Sequence, residues 1–224
     1  MAASWDECSH ILANGASRPG LLGAVSALAF DQHSELLWAG TGAGQVVSHY
    51  SPALVRYTSY AATGSLFSPR PVRDLLVDDR HVYTLGEHTL HSAQRRGIAS
   101  WAVPTNKNAR HLQLASMCTS PSGSGSELIA GGTSNGIGLP AENDVVLVIN
   151  KNSASITRTA PAEAALVKLR KSTRLVCAGT SNGYIQLRDP RSLKVEHRLA
   201  AHAGGLIDMA VDGNLVYSVG WTVR

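Results

Sequence analysis

The pentapeptide Gly-Thr-Ser-Asn-Gly occurs twice in this chain, at Gly132–Gly136 and at Gly179–Gly183. In each copy, the first glycine follows a short apolar segment and a small residue. Five segments end in this way: Leu37-Trp38-Ala39-Gly40, Tyr83-Thr84-Leu85-Gly86, Ile129-Ala130-Gly131-Gly132, Cys177-Ala178-Gly179 and Tyr217-Ser218-Val219-Gly220. With the last glycine of each segment as its anchor, the intervals are 46, 46, 47 and 41 residues. A repeat of this length, built from short strands, predicts the blades of a β-propeller.

Each repeat divides into short strands that are separated by turn residues. The first repeat predicts strands at 25–30, 35–39 and 45–50, and the fourth predicts strands at 166–169, 175–178, 184–187 and 193–197. The fifth predicts strands at 206–211 and 215–219, and the sequence ends four residues after Gly220. The Asn-Gly pairs at 135–136 and 182–183 predict two-residue hairpins in which both central residues have positive φ.

The predicted fold is all-β, an incomplete WD40-type propeller of four blades and the first half of a fifth. Residues 25–224 form the blades, and residues 1–24 are expected to hold one strand and a flexible stretch. Two insertions, Ser120–Ser126 and Gly136–Asp144, interrupt the third repeat as loops. Because a propeller protects its strand edges by closing its ring, we expect the chain to be an aggregation-prone fragment. An extension of about 100 to 130 residues is expected to make it monodisperse.

Composition argues against a nucleic-acid groove. The 224 residues carry a net charge of +4, and only 16% of them are charged. The basic residues are scattered, and the densest groups are Arg95–Arg96 and Lys168–Lys171. A nucleic-acid groove needs basic residues that cluster with interleaved aromatics. These groups are therefore interpreted as charge on solvated surfaces.

The three cysteines favour a reducing compartment. Cys8, Cys118 and Cys177 are far apart and form no Cys-x-x-Cys motif. Unpaired thiols of this kind are typical of intracellular proteins. No apolar run approaches the length of a membrane span, so no membrane partner is expected.

Two glycine-rich motifs resemble catalytic or binding motifs. Gly132–Gly136 and Gly179–Gly183 satisfy the Gly-x-Ser-x-Gly pattern of a hydrolase, but that motif needs a following helix, and here a strand follows. Gly40–Gly44 resembles a phosphate loop, yet it also lacks a helix. All three are interpreted as turns. We assign no catalytic, cofactor-binding or metal-ligating residue to this segment and expect no small-molecule ligand.

Several segments resemble one family closely. They are Ala27–Asp31, Glu35–Thr41, Ser51–Ser59, Pro71–Leu76, His91–Gly97 with Trp101, Asp189–Val195, Ala201-His202 and Asp208-Met209. They resemble the N-terminal propeller of the catalytic subunit of the poly(A)-specific ribonuclease that depends on poly(A)-binding protein. The chain departs from the common blade pattern at Trp221 and at Arg188, which stands where such blades carry tryptophan.

This resemblance implies a larger protein with a seven-bladed propeller, a linker, an inactive ubiquitin-hydrolase-like domain and a poly(A)-specific 3′–5′ exoribonuclease domain. Magnesium is implied only for that nuclease domain, which lies outside this segment. The implied partners are a pseudokinase subunit and, indirectly, poly(A)-binding protein on poly(A) RNA. The implied location is the cytoplasm, including mRNA-processing bodies. The alternative function is a WD40 adaptor of an unrelated assembly, such as a ubiquitin-ligase substrate receptor or a trafficking coat.

Overall fold

The computed structural model describes residues 24–31, 33–50, 53–65, 68–87, 89–95, 100–104, 112–122, 125–134 and 144–221. These residues contain twenty strands and no helix. Accordingly, no helix in this part of the chain is long and apolar enough to cross a membrane. The expected strand within residues 1–24 and most of the insertion Gly136–Asp144 lie outside the described residues.

The strands form four four-stranded antiparallel sheets and two two-stranded ones. The first sheet contains β1 (Val25–Asp31), β2 (Leu36–Thr41), β3 (Gln45–Tyr50) and β4 (Val55–Ala61). A two-stranded sheet of β5 (Gly64–Ser65) and β6 (Ser68–Pro69) follows. The second blade contains β7 (Asp74–Val77), β8 (His81–Leu85), β9 (Thr89–Gln94) and β10 (Ser100–Pro104). In both blades the strands are hydrogen-bonded in chain order.

The third blade contains β11 (Leu112–Thr119), β12 (Glu127–Ser134), β13 (Val145–Asn150) and β14 (Ser155–Pro161). The fourth contains β15 (Leu166–Lys171), β16 (Val176–Thr180), β17 (Tyr184–Arg188) and β18 (Val195–Ala200). The remaining pair is β19 (Leu206–Asp212) and β20 (Leu215–Gly220). Four blades and half of a fifth are therefore present among the described residues, as the repeat predicts.

The chain divides into two compact units. The first contains Val25–Gly86 and His91–Ser100, and the second contains Glu87–Leu90 and the residues from Trp101. In the first unit, apolar side chains of the first sheet pack against β7, β8 and the segment before β7. That core consists of Leu36, Trp38, Val46, Ala62, Val72, Leu75 and Val82. The second unit has one core between its third and fourth blades and another between the fourth blade and β19–β20.

The strand register corrects the alignment of the repeats. A β-bulge interrupts the first strand of the first, third, fourth and fifth repeats near its beginning. The pair that follows the bulge joins Ala27 to Gly40, Ser116 to Gly131, Lys168 to Gly179, and Asp208 to Val219. The positions equivalent to Gly40 and Gly179 are therefore Gly131 and Val219, one residue before Gly132 and Gly220. Because a glycine directly follows each of them, the sequence alone does not reveal this offset.

The corrected position holds glycine where the next repeat approaches the backbone. A Cβ added at Gly40 would lie 2.4 Å from Cγ1 of Val72, and one added at Gly179 would lie 2.7 Å from Cδ2 of Leu206. Distances below 3.0 Å require a shift of the neighbouring group. These two glycines therefore allow adjacent blades to pack closely.

The turn at Gly179–Gly183 differs from the predicted two-residue hairpin. Gly183 has a φ of 83°, but Asn182 is not among the residues with positive φ. The N–H of Gly183 donates to the carbonyl of Thr180 at 3.0 Å. The loop is thus a three-residue connection that ends in a left-handed glycine. Gly44, with a φ of 81°, makes the same bond to Thr41 in the first blade.

Candidate interaction surface

A cleft of about 520 Å³ opens on the first compact unit. It lies at the end of the blades where the β1–β2, β3–β4 and β7–β8 turns meet. The first blade contributes Ser34, Leu36, Tyr50 and Tyr57. The second blade contributes Asp79, Arg80, His81, Gln94 and Arg95.

Two tyrosines form one wall of the cleft. The rings of Tyr50 and Tyr57 meet edge to face, with centroids 4.9 Å apart. They meet because the β3–β4 pairing shifts between Ser48 and His49, which makes Tyr57 the extra residue of a β-bulge. Both rings remain about half exposed, at 44% and 48%. The buried side chain of Leu36, which pairs with Tyr50 across the sheet, supplies an apolar floor.

A buried ion pair closes the base of the cleft. Nη2 of Arg95 donates to Oδ2 of Asp31 and to Oγ of Ser34, and Nη1 donates to the carbonyl of Asp79 at 2.9 Å. The side chains of Arg95 and Asp31 are only 13% and 0% exposed. The interpretation of Arg95 as part of a solvated charge group is therefore wrong. Its charge is neutralised within the first compact unit.

The rim carries a more exposed pair of charges. Oδ1 of Asp78 accepts hydrogen bonds from the N–H groups of Arg80 at 2.9 Å and His81 at 2.7 Å, which fixes the β7–β8 turn. Nε of Arg80 lies 3.6 Å from the carboxylate of Asp79, and these side chains are 81% and 69% exposed. Burial, aided by Asp78, raises the pKa of Tyr83, so this phenol stays protonated. The ion pair at the rim is weak because solvent screens it.

A second polar cluster lies in the fourth blade and is closed on itself. The buried Arg188 donates to Oε1 of Gln186, whose amide donates to Oε2 of Glu163 at 3.3 Å. The same carboxylate oxygen lies 3.1 Å from Nη1 of Arg198, whose guanidinium lies 3.7 Å above the ring of Tyr184. The members of this cluster satisfy one another, which is typical of a structural network.

Two of the three glycine-rich motifs contain a turn between strands, as predicted from the sequence. Gly179–Gly183 connects β16 to β17, and the following element is a strand. Gly40–Gly44 connects β2 to β3 in the same way. Residues 132–134 end β12, whereas 135–136 lie outside the described residues. Among the described side chains, no group of three or more His, Cys, Asp or Glu residues could hold a metal ion.

The matching family model and the curated relatives belong to the same family. The family model described as PAN2 N-terminal matches residues 16–224. The PAN2-PAN3 deadenylation complex catalytic subunit PAN2 of Chaetomium thermophilum is 33% identical over 226 residues, covering 100% of this chain and 18% of that protein. The corresponding subunit of Schizosaccharomyces pombe is 29% identical over 202 residues, covering 90% of this chain and 17% of that protein. The chain thus spans less than a fifth of the length of these relatives.

Solved structures confirm the propeller. The WD40 domain of Neurospora crassa Pan2 matches with a TM-score of 0.77 and 26% identity, over 90% of this chain and 57% of that domain. The computationally designed protein Ika8 matches with a TM-score of 0.65 at 14% identity, over 88% of this chain and 55% of its own. The second match shows the fold alone. The predicted WD40-type fold is confirmed by the first.

Proposed function

Because this chain belongs to the PAN2 N-terminal family, we propose that it acts as a non-catalytic scaffold in poly(A)-tail shortening and mRNA decay. The family resemblance inferred from the sequence is confirmed. The observation that carries the proposal is the family match over 16–224, which includes every described blade. The exposed cleft of the first compact unit supports a role in holding partners, since tyrosine and arginine are enriched at protein interfaces.

We assign the partner from the relatives. The curated relatives are named as catalytic subunits of a PAN2-PAN3 deadenylation complex. A PAN3-type subunit, which the resemblance describes as a pseudokinase, is therefore the expected direct partner. Contact with poly(A)-binding protein on poly(A) is expected to be indirect, and the site of action is the cytoplasm. The magnesium-dependent nuclease chemistry is assigned outside these 224 residues.

Co-purification tests the scaffold role. The tagged 224-residue chain, expressed with the PAN3-type subunit of the same organism, is expected to retain that subunit through affinity and size-exclusion steps. A seven-bladed WD40 protein from an unrelated assembly, carrying the same tag, serves as the control. Retention equal to the control would contradict the proposal.

A competition assay provides a second readout. Excess 224-residue chain should slow poly(A) shortening by a reconstituted PAN2-PAN3 complex, because it occupies the partner subunit without contributing a nuclease. The chain alone should leave a poly(A) oligonucleotide intact in the presence of magnesium. Magnesium-dependent degradation by the purified chain would contradict the non-catalytic assignment.

A further inference from the structure

The aromatic wall of the cleft distinguishes the first blade from the third and fourth blades. The β-bulge that positions Tyr57 recurs in the third and fourth blades, between the last two strands of each. The register therefore gives structurally matched residue pairs: Tyr50 and Tyr57 in the first blade, Asn150 and Thr157 in the third, and Asp189 and Glu196 in the fourth. A blade forms with polar residues at both positions. The two exposed tyrosines are thus not required by the fold.

The polar groups of the cleft favour a ligand that accepts hydrogen bonds. The side chain of Arg80 is 81% exposed and pairs with Asp79 through Nε. The amide of Gln94 and the two tyrosine hydroxyls add further donors. Among the described lining residues, the carboxylate is that of Asp79, which lies 3.6 Å from Nε of Arg80.

The shape of the cleft suits a side chain of a protein partner better than a free small molecule. Sites for small ligands bury most of the ligand surface. Here the walls are open, with Tyr50 and Tyr57 each about half exposed. Exposed tyrosines around a buried apolar floor, with arginine at the rim, have the composition of a protein-interaction hot spot.

We propose that this cleft docks an acidic peptide segment of a partner protein. A carboxylate of the segment is held by Arg80, and an adjacent apolar side chain packs on Tyr50, Tyr57 and Leu36. A carboxylate and a guanidinium form a charge-assisted hydrogen bond, which is stronger than a neutral one. The inference rests on the proposed scaffold function, because it names one surface through which that scaffold holds a partner.

The fourth blade supplies a matched control for the arginine. Arg80 and Arg174 stand at the same place in the first turn of their blades. The carbonyls of His81 and Leu175 accept equivalent hydrogen bonds, from Asp78 at 3.0 Å and Ser172 at 2.9 Å. Arg174 is exposed but does not line the cleft. Arg80→Gln and Arg174→Gln therefore remove the same charge from the same turn position.

Calorimetric titration of the whole 224-residue chain tests the proposal. The probe is the capped peptide Gly-Phe-Glu-Phe-Gly, with Gln in place of Glu as its neutral counterpart. The acidic peptide should bind about three- to fivefold more tightly than the neutral one, as expected for a pair with an exposed arginine. Arg80→Gln should abolish that preference, whereas Arg174→Gln should change the affinity by less than about twofold. The double variant Tyr50→Asn/Tyr57→Thr, which carries the residues of the third blade, should weaken both peptides at least tenfold.

Three results would overturn the proposal. They are equal binding of the two peptides, equal effects of the two arginine variants, and displacement of the peptide by an oligoadenylate of the same charge. Thermal melting of every variant shows whether it is folded, and the tyrosine variant is designed on a blade that forms with those residues. Co-purification with the PAN3-type subunit is measured separately. If the wild-type chain does not co-purify with the PAN3-type subunit, the scaffold function is contradicted. If it co-purifies but the peptide does not bind, only the proposal for the cleft is contradicted.

Discussion

The guanidinium of Arg188 donates two hydrogen bonds to the side-chain oxygen of Gln186, at 3.0 Å from Nε and 2.6 Å from Nη2. Arg188 is 2% exposed and Gln186 is 1% exposed. Nη1 donates to the carbonyl of Leu193 at 2.9 Å. Burial lowers the pKa of Arg188, and the nearby Glu163 acts in the opposite direction. The fourth blade therefore holds a buried charged group at the position that Ile149 occupies in the third blade.

Replacing the acceptor tests how much this arrangement stabilises the blade. Gln186→Leu leaves the guanidinium without its main acceptor, and a lost hydrogen bond to a buried charge costs about 2–3 kcal/mol. Urea unfolding should show a loss of this size. Gln45→Leu, at a partly exposed position of the first blade, should change stability by less than about 0.5 kcal/mol. Equal losses would show that Arg188 does not depend on Gln186.

The strand pattern of the blades could be predicted because alternation and turn residues are local. Strands β3 and β19 begin at the expected residues, and the turn at Gly40–Gly44 lies where it was placed. The anchors at Gly132 and Gly220 were wrong by one residue, because the positions paired like Gly40 and Gly179 are Gly131 and Val219, each directly followed by another glycine. The burial of Arg188 could not be predicted either, because the carbonyls of Pro161 and Leu193, which accept hydrogen bonds from Nη1, reach it only when the blade folds.

The left-handed glycine of the fourth blade should tolerate no side chain. Gly183 has a φ of 83°, and an added Cβ would lie 1.9 Å from the carbonyl oxygen of His202. Gly183→Val should therefore destabilise the chain by about 2 kcal/mol or more. Ser181→Ala, at an exposed position of the same turn, should have an effect below about 0.5 kcal/mol. Thermal melting in the reverse order would contradict the turn geometry.

An ion pair between the fourth and fifth repeats should make stability depend on pH. Although burial would raise the pKa of Asp208, the N–H of Met209 at 2.7 Å and the ammonium of Lys168 at 3.2 Å hold it below its usual range. A carboxylate whose pKa is lower when folded stabilises the fold above the unfolded value, about 3.9. This contribution is lost as the pH falls through the folded value.

Urea midpoints between pH 2 and pH 6 measure this dependence. Wild type should be more stable than Asp208→Asn at pH 6, and the difference should shrink as the pH falls below about 4. The effect should be small because the Asp208 side chain is 56% exposed. A difference that stays constant over this range would contradict the assignment.

The cleft could not be predicted from the sequence because its two halves are distant in the chain. Asp31 and Arg95 are 64 residues apart and meet only when two blades pack. The basic pair Arg95–Arg96 predicts a solvated charge, whereas Arg95 is buried against Asp31. Once the bulged register is known, Tyr57 differs from the residues at the matching position of the third and fourth blades, Thr157 and Glu196. Without that register, the sequence does not show that these residues are equivalent.

The coupling free energy between Asp31 and Arg95 in unfolding should be large, and that between the exposed Asp79 and Arg80 should be small. Asp31→Asn keeps an acceptor for the N–H of His33, which donates to Oδ1 at 2.9 Å, but leaves Arg95 without a counter-charge. Breaking one side of a buried pair costs about 3–5 kcal/mol. Adding Arg95→Met removes the unpaired charge, so the double variant should be more stable than Asp31→Asn alone. A double-mutant cycle by urea unfolding should give a coupling above about 1.5 kcal/mol, whereas Asp79→Asn with Arg80→Gln should give less than about 1 kcal/mol. Equal couplings would show that burial does not distinguish the two pairs.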